Sequence, residues 1–234
     1  MSLLELEHVS KRYRQGQRER IALDDVTLEV RDGELVVVYG ERRSGRTTLL
    51  RLAAGIETPD MGSVRFKDSE LGQRRERVLG QGIGYVAKTL RGSEEQGVLE
   101  QVAAPLLAHG MPVSNARDTA RHALARAGAQ DCMAAVVGEL SAGESMRVCL
   151  ARALALSPAL VVIDEPADAI SLSERDGILA QLRTLARAGT AVLASTGEPS
   201  ELAGAHRALT LSGGRLHGPA MAELAPVVAL RPRV

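Results

Sequence analysis

Aromatic residues are nearly missing from this chain: no tryptophan, one phenylalanine and three tyrosines, 2% of 234 residues. That excludes the aromatic platforms on which single-stranded bases stack. Charge of a single sign is missing too. Twenty-nine basic residues balance 29 acidic ones, so no electrostatic footprint for nucleic acid is expected. No apolar run approaches the roughly 18–20 residues that span a bilayer, and Met1–Glu5 lacks the form of a signal peptide. The expectation is a cytoplasmic protein that reaches a membrane only through a partner. Two cysteines, Cys132 and Cys149, have neither metal-ligand spacing nor a disulfide framework and read as small buried thiols. Lysine is scarce: Lys11, Lys67 and Lys88, against 26 arginines. An arginine bias explains exchanges on a surface. It explains less at a phosphate site, where the two side chains differ in shape and reach.

What is present is a 45% hydrophobic chain, long enough for one large domain or a domain carrying an inserted lobe. The stretch that organises it is residues 40–48. An apolar run, Leu35–Tyr39, precedes them and a helical pattern, 46–54, follows. Strand, glycine-bounded loop and helix form the setting in which backbone N–H groups and a helix N-terminus face an anion. Against the pattern G-x-x-x-x-G-K-[ST], the glycines are Gly40 and Gly45 and the hydroxyl is Thr47. The lysine position holds Arg46. The alternative, an ordinary polar turn, stays open on this stretch alone.

Along the chain, 3–9 and 21–30 alternate as strands around a polar turn at 14–20. Short strands are expected at 63–66 and 82–87, with 68–80 as a loop or exposed helix. Two amphipathic helical patterns, 96–108 and 114–127, are separated by Gly110-Met111-Pro112. They read as a helical lobe over 91–131, inserted into an α/β core made of 1–90 and 132–218. A long helix over 145–156, a buried strand at 159–163, a helix at 173–188, a strand at 190–195, a short helix near 199–204 and a strand at 206–211 complete a βα alternation. That alternation implies an α/β fold with a mostly parallel, covered sheet. Residues 219–234 read as a short helix or an irregular extension. The strand at 159–163 ends in Asp164-Glu165-Pro166, at the sheet edge where ligands bind in such folds. Asp164 is suited to hold Mg²⁺ or its water, and Glu165 to polarise a water for in-line displacement. Two solvated acids at a strand end are the alternative.

A third motif decides the class. Leu140-Ser141-Ala142-Gly143-Glu144 opens a helix some twenty residues before Asp164 and resembles the signature motif of ABC-type ATPases. The order of phosphate loop, signature, acidic strand end and D-loop is also theirs. The resemblance covers residues 3 to about 217 and is closest to the branch that includes LolD, MacB and FtsE, on the stretches 100–107 and 209–216. It implies a P-loop core with an N-terminal antiparallel β part and a helical lobe that faces a permease. It implies ATP and Mg²⁺ as cofactors and two ATPase subunits paired head to tail, on the inner face of the membrane beside an integral-membrane permease. Tyr13 matches the aromatic that stacks on adenine. Gly40, Ser44, Gly45, Thr47 and Thr48 match the loop, and Thr47 and Asp164 the metal site. Glu165 matches the catalytic carboxylate. Ser141, Ala142, Gly143 and Glu144 occupy the signature that caps the partner's ATP.

The departures cluster. Arg43 stands where a loop glycine is usual, Arg46 replaces the phosphate lysine, and Lys88 replaces a glutamine that senses Mg²⁺ and water. Ser171 replaces the D-loop aspartate, and Gly197 the switch histidine; none of His8, His109, His122, His206 and His217 sits at that switch. A cation at residue 88 weakens a neighbouring metal. Losing one donor to transition-state charge costs about 3–4 kcal/mol. The expectation is an impaired own site combined with a nearly intact signature. That is the pattern of the degenerate half of a heterodimer with a different, competent ATPase; pairing with a second copy is the other possibility. The alternative class is a pseudo-ATPase acting as a structural or regulatory subunit.

Overall fold

The computed structural model describes residues 2–16, 18–71, 82–87, 90, 93–168 and 170–219. Two sheets share the work. The first is antiparallel, in the order β2-β1-β4-β5, from β1 (Ser2–Gln15), β2 (Arg18–Arg31), β4 (Met61–Phe66) and β5 (Ser69–Glu70). The second has the order β10-β9-β3-β8-β7-β6 and holds β3 (Leu35–Tyr39), β6 (Ile83–Val86), β7 (Leu160–Ile163), β8 (Ala191–Thr196), β9 (Arg207–Ser212) and β10 (Arg215–Pro219). Its β9, β3, β8, β7 and β6 are mutually parallel, and β10 pairs antiparallel with β9. The α/β class with an antiparallel N-terminal part is therefore what the structure has.

The central strands are apolar throughout because both faces are covered. Leu35 and Val37 of β3 join one core with Val161, Ile163, Val192 and Ala194. Val36 and Val38 join the other with Leu160, Val162, Ala191 and Leu193. The period of two divides each strand between the cores. The first core is closed by α2 (Val98–Ala108), α3 (Val113–Arg126), α4 (Ala142–Leu154) and α5 (Leu172–Arg187). The second is closed by α1 (Arg46–Ala53), which presents Leu49, Leu50, Leu52 and Ala53, and by the antiparallel sheet. Cys132 and Cys149 are free and buried in the first core.

Element ends differ from the expected ones in physical ways. The polar turn is only the tip at Gly16, because β1 and β2 stay paired out to Gln15 and Arg18. The helix expected from 145 begins at Ala142, since Ser141 caps it. The helix near 199–204 is one 3₁₀ turn, Pro199–Leu202, and β10 was not foreseen. Lys88, residues 72–81 and nearly all of the 219–234 extension lie outside the described residues. No helix among those described is long and apolar enough to cross a membrane.

Candidate nucleotide site

Parallel pairing brings three strand ends to one edge. Tyr39 of β3 lies opposite Thr196 of β8, and Ile163 of β7 opposite Ala194. The residues that follow, Gly40, Gly197 and Asp164, therefore meet, although up to 157 positions separate them. The loop after β3 closes onto α1 through Gly45, at φ 110°, where a Cβ would run into the Ala22 carbonyl. Glycine is required there on both counts. Arg43 occupies the left-handed region at φ 67° without being glycine, a conformation that the glycine usual at this position adopts without strain. Arg20 of β2 reaches over the loop and donates from Nη2 to the Arg43 carbonyl at 2.7 Å. Arg20, Arg43, Ser44, Gly45, Arg46, Thr47 and Thr48 line a cleft of about 210 Å³.

Thr47 Oγ1 donates to Asp164 Oδ2 at 2.8 Å, and Ser195 Oγ donates to Asp164 Oδ1 at 2.5 Å. Ser195 Oγ also accepts the Glu165 backbone N–H at 3.0 Å. Asp164 is buried, so two hydroxyls hold its carboxylate in place. Glu165 adopts φ 48°, which turns its side chain back toward α1. There it accepts from Arg46: Nη2 to Oε1 is 2.7 Å, with 7% of the arginine side chain and 23% of the glutamate side chain exposed. Gly197 completes the arrangement by having no side chain. A Cβ on it would lie 3.5 Å from Arg46 Nη1 and 3.9 Å from Glu165 Oε1, ordinary contact distances, so position 197 borders the ion pair directly. Gly40, Arg42, Arg46, Glu165, Arg175 and Gly197 are among the walls of a second cleft, of about 280 Å³.

A nucleotide with a hard divalent cation fits these residues. Ser44 Oγ and Arg46 Nη1 are buried with no hydrogen-bond partner among the described residues, and buried polar atoms of that kind call for an acceptor or donor from a ligand. Thr47 and Asp164 offer the oxygen donors that Mg²⁺ takes. Tyr13 is tied to the loop helix by its hydroxyl, which donates to Glu57 and lies 3.4 Å from Thr48 Oγ1, and the residue remains exposed. Its pKa is raised, first by burial and then by the Glu57 hydrogen bond.

The signature residues sit elsewhere on the chain. Ser141 caps α4 by accepting the Glu144 N–H at 3.1 Å, and Glu144 returns the bond to the Ser141 N–H at 2.8 Å. Gly143 is buried in the first turn beside exposed Ala142. Ser171 holds the first flanking position of α5 without a side-chain cap bond, its hydroxyl donating to the Glu174 carboxylate. Thus Gly40, Arg43, Ser44, Gly45, Arg46, Thr47, Thr48, Asp164, Glu165 and Gly197 converge on one site. Ser141, Ala142, Gly143, Glu144 and Ser171 gather at another. Arg20, Glu57 and Ser195 entered no motif; only cross-strand pairing, Tyr13 opposite Arg20, could have indicated Arg20.

The family profile described as ABC transporter matches residues 23–168. The chain belongs to the ABC transporter family. Among its relatives, the lipoprotein-releasing system ATP-binding protein LolD of Chromohalobacter salexigens is 37% identical over 219 residues, 92% of each chain. LolD of Pseudomonas syringae pv. tomato is 34% identical over 220 residues, 92% of this chain and 97% of that one. Among solved structures, the dimeric post-hydrolysis state of the ATP-binding cassette MJ0796, bound to ADP and Pi, superposes with a TM-score of 0.83 at 25% identity, covering 92% of this chain and 98% of the other. This ABC protein is an ATP-binding subunit of the LolD-like branch.

Proposed function

We propose that this subunit couples ATP to an integral-membrane permease through a dimer in which its own ATP site is slow and its signature completes the partner's site. The observation that carries the reading is the Arg46–Glu165 ion pair at 2.7 Å. The cation of the phosphate loop and the carboxylate matched to catalysis hold each other. Glu165 Oε1, an oxygen suited to take the proton of an attacking water, already accepts from Arg46. Arg46 in turn brings to the loop a charge that is largely balanced at short range. Gly197 offers no donor at the switch position, and one such donor is typically worth roughly 10²–10³ in rate.

In this reading Ser44 and the backbone N–H groups of the loop would hold the phosphates of ATP, and Thr47 with Asp164 would hold Mg²⁺, which when bound would supply charge stabilisation for phosphoryl transfer. The relationship to lipoprotein-releasing ATP-binding proteins supports a location on the inner face of the cell membrane, bound through a permease. The retained Ser141 and Gly143, beside a compromised loop, support a different, competent ATPase as the dimer partner.

The test is to purify the complex from membranes, determine its subunits by intact mass spectrometry, and compare two variants. A second ATPase with a complete phosphate loop is expected. Ser141→Arg is expected to abolish ATP turnover, and Glu165→Gln to change it less than twofold. Equal loss from both would refute the asymmetric site. Only this chain with permeases would make the dimer symmetric, and absence of ATP binding would leave a pseudo-ATPase subunit.

A further inference from the structure

The signature end of α4 contains an arrangement that the reading above does not use. Ser141 Oγ, besides accepting the Glu144 N–H, donates to Glu174 Oε1 at 2.9 Å. Ser171 Oγ donates to the other oxygen of the same carboxylate, Glu174 Oε2, at 2.8 Å. Glu174 lies in the first turn of α5, so one acid ties the start of α5 to the cap of α4. Gly143 makes the approach possible, since a Cβ there would overlap the Glu174 carboxylate. The two hydroxyls, Ser171 first and Ser141 second, pull the Glu174 pKa below the ordinary carboxylate range, so the acid is ionised at neutral pH.

A serine hydroxyl has one proton. Ser141 gives that proton to Glu174 and so offers an arriving phosphate only oxygen lone pairs, beside a carboxylate. Ser171 belongs to the same unit. An aspartate there would face the Glu174 carboxylate within hydrogen-bond distance, and two carboxylates that close repel. The serine at the D-loop position and the glutamate three residues later are one compensated pair.

We propose that Glu174 is an anionic latch: a positioning residue that holds the Ser141 hydroxyl away from the partner's nucleotide phosphate until that phosphate displaces it. The proposal rests on Ser141 serving the partner's nucleotide, as argued above. With the latch set, the signature side of the dimer stays closed to phosphate. With Glu174 released, Ser141 turns its proton outward.

The experiment measures equilibrium binding of radiolabelled ATP to the membrane-purified complex, without turnover. Glu174→Ala and Ser171→Asp are each expected to lower the half-saturating ATP concentration about three- to tenfold, the range of one hydrogen bond exchanged. Glu174→Gln keeps an acceptor oxygen and is expected to give a smaller shift. In a Ser141→Ala background, Glu174→Ala is expected to have no further effect. Tighter binding on removal of a side chain is a readout that a purely structural role does not produce. Unchanged or weaker binding in both Glu174→Ala and Ser171→Asp overturns the latch, while Ser141→Arg still reports separately on the signature's role. No ATP binding in any form of the complex overturns both.

Discussion

Arg46 and Glu165 differ in how deeply they are buried, and that decides what each removal does. Arg46 is 7% exposed and Glu165 23%. Taking away one partner of a buried ion pair costs about 3–5 kcal/mol, because a charge is left without its counterion. Glu165→Ala leaves the deeper charge and is expected to destabilise the chain by about 2–4 kcal/mol in urea unfolding. Arg46→Met leaves a carboxylate that water can reach and is expected to cost less than about 2 kcal/mol. The reverse order would mean that solvent reaches Arg46 as well. The thiols make a second residue-scale case. Burial pushes the Cys149 thiol up to about 11 and raises Cys132 as well. A raised pKa favours the protonated form in the fold. Its stabilisation is complete below the ordinary thiol pKa and is lost as pH rises from there toward about 11. At pH 8 the native chain is expected to react with a thiol reagent far more slowly than the urea-unfolded chain, in which both cysteines label. Rapid native labelling would show that the core around α4 opens.

At the scale of elements, α4 shows how a cap sets both a boundary and a pH dependence. Apolar periodicity alone starts this helix at 145. The reciprocal bonds between Ser141 and Glu144 start it at Ala142, because two orphan N–H groups are satisfied there. Glu144 has its pKa lowered first by the Ser141 backbone N–H. Its contribution is therefore present above the ordinary glutamate pKa and lost as pH falls through the depressed value. Ser141→Ala keeps that backbone N–H and removes only the hydroxyl, so it is expected to lower stability by about 1 kcal/mol at neutral pH, and acidification is expected to remove only the smaller part of the difference that the hydroxyl contributes through Glu144 and Glu174. Urea titrations at neutral and acidic pH measure both. The strands were legible in sequence from period and apolar runs. The ends of β1 and β2 were not, because pairing across a hairpin carries polar residues out to Gln15 and Arg18 that no alternation marks.

For the whole molecule, the slow-site reading makes a quantitative claim. The isolated chain is expected to turn over ATP roughly 10²–10³ more slowly than an ABC subunit with lysine, glutamine and histidine in place. Turnover at the full family rate would sink that reading. Arg46→Lys together with Gly197→His is expected to raise turnover more than the two single changes combined, since the two positions are in contact and changes at contacting residues couple.

By itself the sequence determined the fold class, the order of phosphate loop, signature, acidic strand end and D-loop, and the positions where the usual side chains are missing. Those are local matters: a strand period, a turn glycine, a cap and the identity of one side chain can each be read from neighbours along the chain. Only the tertiary structure decided what the substitutions do together. Arg46 and Glu165 lie 119 positions apart, and Ser141 and Glu174 lie 33 apart. Parallel strand pairing brings the first pair to one edge, and packing of α5 against α4 brings the second together. A hydrogen bond requires its two atoms within about 3 Å, and the linear order of residues does not contain that distance.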